Sequence, residues 1–139
     1  MSVIKSKRTD SPLKAATLAV NLLQKTIEVC SSKKNFPIRK KWAIPSDLYY
    51  EAREYCVAIN LANDIKVADK ADAVERLALD DKADSHLRRY MILVNIAVQT
   101  HPMNETTINS WIALMNESYE YFQKWKAAEV KRYSEFIGG

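Results

Sequence analysis

Apolar residues recur at spacings of three and four in separate segments of the chain, as on one face of an α-helix. The first segment follows Ser11-Pro12, a typical helix start with a capping serine and proline in the first turn. The second begins at Pro45-Ser46, where Ser46 is the predicted cap. The predicted core positions are Leu13, Ala16, Val20, Leu23, Ile27 and Cys30 in the first segment and Leu48, Ala52, Tyr55, Ile59 and Ala62 in the second.

Two further helices are predicted in the second half of the chain. One carries the apolar positions Leu87, Met91, Val94 and Val98 and stops before Pro102, after which Asn104 or Thr106 can cap the next helix. The last helix has two apolar rows, which are Ile108, Ile112, Met115, Tyr119 and Phe122, and beside them Trp111, Leu114, Tyr121 and Trp125. A single bundle core does not need both rows, so the second row is predicted to contact a neighbouring subunit.

Residues 66–84 interrupt the pattern because they are rich in Ala and Asp. Continuing the stripe from Ala73 and Leu77 would bury Asp80 and Asp84, and burying a carboxylate without partners is costly. The sequence therefore predicts a break or a change of phase within 66–84. Solvated helix faces and caps are the predicted places for the aspartates Asp64, Asp69, Asp72, Asp80, Asp81 and Asp84.

Glycine content decides the fold class. The only glycines among the 139 residues are Gly138 and Gly139, so the interior has very few positions suited to tight hairpin turns. With short connections between four helices, the prediction is an all-α, up-down-up-down antiparallel four-helix bundle. We expect one bundle domain over residues 11–137, preceded by a basic N-terminal arm over residues 1–10.

Positive charge is concentrated at the start of the chain. Residues 1–41 hold ten Lys and Arg against two acids, whereas residues 42–139 hold eleven against fifteen. The loop KKNFPIRKKWAIP contributes the cations Lys33, Lys34, Arg39, Lys40 and Lys41. A cationic end on a compact bundle predicts contact with a polyanion. Phe36 and Trp42 either stack on unpaired bases or cap the open end of the bundle.

No catalytic constellation is apparent. His86 and His101 have no metal ligand at a typical spacing, so a surface or helix-end position is predicted for both. Cys30 and Cys56 are predicted to be buried free thiols. We therefore expect a non-enzyme without cofactor or metal. No apolar stretch is long enough to span a membrane and no signal peptide is seen, so a cytoplasmic location is expected.

Arg88 and Arg89 stand side by side on the third predicted helix, about 100° apart around its axis. One interpretation is an interhelical ion pair with Glu51, Glu54 or Asp84. The other is a contact with a partner protein or RNA. The sequence leaves both open.

The stretch DDKADSHLRRYMILVNIAVQTHPMNETTINSWIALMNESYEYFQKW resembles the C-terminal half of the accessory variability proteins of diversity-generating retroelements. The matching positions are Asp84, Leu87, Arg88, His101, Pro102 and Trp125, with Pro37, Arg39 and Lys40 in the first loop. The chain is also similar to the wider four-helix-bundle family encoded within ribosomal RNA intervening sequences. It departs from these families in having no glycine after the second helix and in being acidic after residue 42, which favours a local RNA contact over an extended one.

The retroelement resemblance implies a non-catalytic, homopentameric barrel of bundles. Such a protein binds the reverse transcriptase and the template-repeat RNA, and supports mutagenic cDNA synthesis during mutagenic retrohoming. The expected partner-binding residues are Lys33, Lys34, Arg39, Lys40, Lys41, Trp42, Arg88 and Arg89. The alternative is a structural oligomer of the intervening-sequence type with no nucleic-acid partner.

Overall fold

The computed structural model describes the backbone of residues 2–36 and 44–138, and the side chains of its first helix from Lys14 onward. Within these residues the chain forms four helices: α1 (Ser2–Ser31), α2 (Pro45–Asp64), α3 (Lys70–Thr100) and α4 (Glu105–Gly138). Each packs against the next along the chain, and α4 closes the ring against α1. The described residues contain no strand, and the predicted four-helix bundle is confirmed.

The helix boundaries agree with the sequence prediction except at α1 and at the cap of α2. α1 begins at Ser2, so the predicted N-terminal arm is helical and Pro12 lies inside the helix rather than at its start. α2 begins at Pro45, but its N-cap residue is Ile44, and the predicted cap at Ser46 is wrong. Asn104 caps α4 as predicted, because its Oδ1 accepts a 2.7 Å hydrogen bond from the N–H of Thr107.

The predicted core stripe of α2 is confirmed, since all five of its residues are buried. The predicted stripe of α1 is confirmed only in part. Ala16 and Cys30 are buried and Leu23 is half-buried, whereas Val20 and Ile27 are 37% and 46% exposed. The side chain of Leu13 lies outside the described set. The buried line of α1 instead includes Ala15, Ala19, Leu22, Thr26 and Val29. The prediction differs from this line because it followed apolar residues alone, and the line contains the polar residue Thr26.

A chain of hydrogen bonds explains why Thr26 is buried. The indole N–H of Trp111 donates to the hydroxyl of Tyr90 at 2.7 Å, and that hydroxyl lies 2.6 Å from the hydroxyl of Thr26. Thr26 in turn donates to the carbonyl of Leu22 at 2.6 Å. Each hydroxyl has one proton, so Tyr90 donates to Thr26. The chain connects α4, α3 and α1 through the core and satisfies every buried donor in it.

The core-facing line of α4 lies between the two predicted rows. It consists of Trp111, Met115, Ser118, Phe122, Trp125 and Glu129. Trp111 and Trp125 are buried inside a single chain, so the prediction that they face a neighbouring subunit is wrong. Leu114 and Tyr121, the other members of that row, are half-buried, and an interface through them stays a prediction.

The predicted interruption lies at residues 65–69, which are not helical, so the break falls at the start of the predicted range. From Lys70 α3 is continuous, and it does bury Asp80 and Asp84. Asp69 is a cap as predicted, accepting a 2.9 Å hydrogen bond from the N–H of Asp72. Of the predicted stripe, Leu87 and Val94 are buried, while Met91 and Val98 are half-buried.

Candidate functional site

The antiparallel order places the C-termini of α1 and α3 at the same end of the bundle as the N-termini of α2 and α4. Lys33 and Lys34 are exposed at this end, in the turn after α1. The other predicted contacts of the loop, Arg39, Lys40, Lys41 and Trp42, lie outside the described residues. α1 has 30 residues and is about 45 Å long, so its N-terminal cations lie at the far end of the bundle. The sequence suggested that the basic segment forms a single cationic end. The length of α1 instead divides that segment between the two ends of the bundle.

Two buried residues anchor the turn that carries these lysines. The side-chain amide of Asn35 donates to the carbonyl of Val29 at 3.0 Å. Phe36 is wholly buried and its ring lies 4.6 Å from the ring of His101, between centroids. Phe36 thus caps the end of the bundle, which was one of the two predicted roles, and Lys33 and Lys34 are held on its outer side.

A polar groove of about 360 Å³ lies beside this turn, between the end of α1 and the start of α4. Its lining contains two lysines, one acid and several hydroxyl and amide side chains: Lys25, Glu28, Val29, Ser32, Lys34, Asn35, Asn104, Thr106, Thr107 and Ser110. The first turn of a helix offers unpaired N–H groups and the positive end of its dipole. Chemically, the groove is suited to the oxygens of an anion such as a phosphodiester.

Arg88 and Arg89 are both exposed. Arg88 donates to Asp84 at 3.2 Å, so its predicted acidic partner is confirmed, but the pair lies within α3 rather than between helices. Burial alone raises the pKa of Asp84, but hydrogen bonds, above all those from Lys126 and Gln123 on α4, lower it below its usual range. Arg89 lines a shallow groove between α2 and α3, and a partner contact through it stays a prediction.

The two histidines occupy different environments. His101 follows the last residue of α3, in the predicted helix-end position. His86 is buried, and its Nδ1 lies 2.5 Å from a carboxylate oxygen of Glu51 on α2, so the surface prediction is wrong for His86. The pair joins α2 to α3. Sequence reasoning could not assign it, because 35 residues separate the partners.

A second polar cluster lies near the other end of the bundle, and the sequence did not predict it. The guanidinium of Arg76 forms a two-pronged pair with the wholly buried carboxylate of Glu129, at 2.5 and 3.0 Å. Its third contact is a 2.7 Å hydrogen bond to the carbonyl of Ile65, at the C-terminus of α2. Arg76 therefore ties α3 to α4 and to the end of α2. The wholly buried carboxyl of Asp80 belongs to the same cluster.

Comparison with known proteins adds no family: the chain matches no protein-family model, no curated protein and no solved structure. Among the side chains that the structure describes, no three His, Cys, Asp or Glu come together to hold a metal ion. Across the same residues, no helix combines the length and apolarity needed to cross a bilayer. Cys30 and Cys56 are buried thiols, as predicted.

Proposed function

We propose that this chain is a non-catalytic binding protein that contacts RNA through the end of the bundle carrying Lys33 and Lys34. The observation that supports the proposal most is the placement of these exposed lysines on an anchored turn beside the polar groove at the start of α4. On the resemblance described above, the RNA is the template-repeat RNA of a diversity-generating retroelement, held by its reverse transcriptase. The chain would then support mutagenic cDNA synthesis in the cytoplasm.

Electrostatics favours an RNA contact at this end. Each lysine or arginine that neutralises a phosphate releases condensed counterions, which is the main source of affinity in sequence-independent binding. Five such side chains occur within the nine residues 33–41 of the sequence. Lys25 and Lys34 line the groove with neutral hydroxyl and amide groups, and Glu28 is its single acid. RNA is the partner that best fits a cationic, hydroxyl-rich surface of this kind.

A homo-oligomer is the second part of the proposal, and the outer surface supports it. Val57 and Leu61 are 47% and 50% exposed and lie one turn apart on α2. Ile92 and Ile96 are 61% and 41% exposed and lie one turn apart on α3. Paired apolar side chains in water favour association with another subunit. A purely structural oligomer without RNA would use the same apolar surface. Substitutions of Lys33 and Lys34, and not of the apolar residues, therefore distinguish the two functions.

Replacing Lys33 and Lys34 together with glutamine is expected to weaken binding to a mixed-sequence, single-stranded RNA. The slope of log affinity against log salt should become shallower by about 0.7 for each phosphate that the variant no longer neutralises. The free energy of unfolding should change little, since exposed charges contribute little to stability. Fluorescence anisotropy over a salt series measures the slope.

The matched control replaces Lys66 and Lys70, two exposed lysines at the turn between α2 and α3, on the opposite end of the bundle. The charge change is the same, but this control should keep nearly the wild-type slope. If the two double variants shift the slope equally, RNA contact is not localised at the Lys33–Lys34 turn. If neither shifts it, these lysines are only solvated surface charges.

A further inference from the structure

Asp80 stands apart among the described acids because it is wholly buried and its carboxylate lacks a hydrogen-bond donor. Its exposure is 0%, and neither carboxylate oxygen accepts a hydrogen bond within the described part of the chain. Glu129 is equally buried, but the guanidinium of Arg76 satisfies its two oxygens. Among the described side chains, one buried cation therefore serves two buried carboxyl groups, and Asp80 is the one left without a donor.

Several charged and titratable groups surround Asp80. On α3 they are Arg76 and the exposed Asp81, and on α4 they are Glu129 and Tyr133, whose ring lies 5.4 Å from the Arg76 guanidinium. Arg132 reaches Glu129 from the surface at 3.4 Å, but its side chain is 55% exposed and screened by water. The end of α2 offers the carbonyl of Ile65. The side chains of α1 before Lys14, including Lys5, Lys7, Arg8 and Asp10, are outside the described set.

Two adjacent buried carboxyl groups can hydrogen bond only if one of them keeps a proton. Burial raises the pKa of Asp80 to about 8, and the charge of Glu129 acts in the same direction. Arg76 opposes the rise but is already engaged by Glu129. The O–H of a protonated Asp80 could donate a hydrogen bond to the carboxylate of Glu129. The cluster of Arg76, Asp80 and Glu129 would then carry no net charge.

We propose that Asp80 is a proton-operated latch, which holds α3 and α4 together at this end of the bundle as a carboxylic acid and loosens them when its proton is lost. The latch is independent of the RNA contact, which lies at the opposite end. Loss of the proton leaves two buried carboxylates and one guanidinium in the same cluster. Two parts of the chain then loosen. One is the segment of α4 that follows Glu129, and the other is the Ile65–Asp69 connection, which Arg76 holds through the carbonyl of Ile65.

The sign of the pH dependence follows from the direction of the shift. The folded chain holds the Asp80 proton more tightly than the unfolded chain, in which the ordinary value is 3.8. This contribution to stability is complete below pH 3.8 and is lost progressively as the pH rises towards about 8. Within that window, the folding equilibrium constant falls by up to about tenfold per pH unit because of this one group.

The first test is the titration of the wild-type chain itself. The ¹³Cγ shift of Asp80, assigned by triple-resonance NMR, is expected to move between pH 7 and 9. A midpoint below pH 5 would overturn the proposal, because the carboxyl would then be ionised throughout the neutral range.

The second test compares Asp80→Asn with Asp81→Asn, a neighbouring change of the same kind at a side chain that is 73% exposed. The exchange rate of the backbone amide hydrogens that follow Glu129 in α4 is measured and corrected for its intrinsic pH dependence. It should rise from pH 6 to 9 in wild type and in Asp81→Asn. It should stay nearly constant in Asp80→Asn, which cannot ionise. Equal acceleration in all three would show that Asp80 does not operate the latch.

Discussion

Replacing Arg76 with methionine is expected to lower the free energy of unfolding by about 3–5 kcal/mol. The substitution keeps much of the apolar volume but leaves the carboxylate of Glu129 buried without its two-pronged partner. It also leaves the carbonyl of Ile65 without its donor at the end of α2. Urea unfolding followed by circular dichroism at pH 7 measures the loss.

Two comparisons show whether the broken ion pair is the cause. Arg132→Gln removes the exposed cation that also reaches Glu129, and it should cost less than about 1 kcal/mol. The double variant Arg76→Met with Glu129→Leu should recover most of the stability, because removing both charges avoids an unpaired one. If Arg76→Met alone lowers the free energy of unfolding by less than about 1 kcal/mol, the Arg76–Glu129 pair is screened by water and does not tie α3 to α4.

The other large effect is expected at the core of α4. Trp111→Ala should cost about 3–5 kcal/mol, because it removes a wholly buried indole ring and with it the donor to Tyr90. Trp125→Ala should have a comparable effect. The chain is expected to unfold in less urea, with no folded, dissociated subunit appearing first. Light scattering and circular dichroism recorded on the same samples separate these outcomes.

Leu114→Ala is the matched control for that experiment, since Leu114 lies on the same helix but is only half-buried. Its effect on the free energy of unfolding should be clearly smaller. A Trp111→Ala variant that kept full helicity while its mass in solution fell would contradict the burial of Trp111 within one chain. It would restore the subunit-interface prediction made from the sequence.

The sequence predicts the buried face of α2 better than that of α1, and the reason is physical. In α2 the apolar residues from Leu48 to Ala62 coincide with the buried line, so periodicity alone is sufficient. In α1 the core contains Thr26. Its hydroxyl donates to the carbonyl of Leu22 in the same helix and gains its second partner, the Tyr90 hydroxyl, only when α3 packs against α1. Hydrophobic patterning cannot anticipate a polar residue that is buried because of distant partners.

The same limitation explains why the sequence could not locate the interruption more closely within residues 66–84. Burying Asp80 and Asp84 was expected to be too costly for a continuous helix. Asp84 finds its partners in Lys126 and Gln123, 42 and 39 residues away in sequence. On the latch proposal, Asp80 avoids the cost by keeping its proton. A buried ionic cluster spread over two helices has no local sequence signal, although the spacing of Arg76 and Asp80 on the line of Ala73 is compatible with one.

The cationic turn was predictable, whereas the groove beside it was not. Lys33 and Lys34 are visible in the sequence as part of a charged loop that ends a helix. The groove forms because Thr106 and Ser110 at the start of α4 come to lie beside Lys25 and Ser32. The bundle topology makes that approach possible. The length of α1 also divides the basic segment between two ends, which a charge count cannot show.

The most direct measurement of the proposed function is the affinity of the wild-type chain for single-stranded RNA as a function of salt, in fluorescence anisotropy titrations between about 50 and 300 mM salt. We expect saturable binding at low salt, with log affinity falling linearly against log salt with a slope of about 0.7 per phosphate neutralised. Absence of binding at the lowest salt concentration, for both mixed-sequence RNA and RNA held by a retroelement reverse transcriptase, would contradict it and leave a structural oligomer as the function of this bundle.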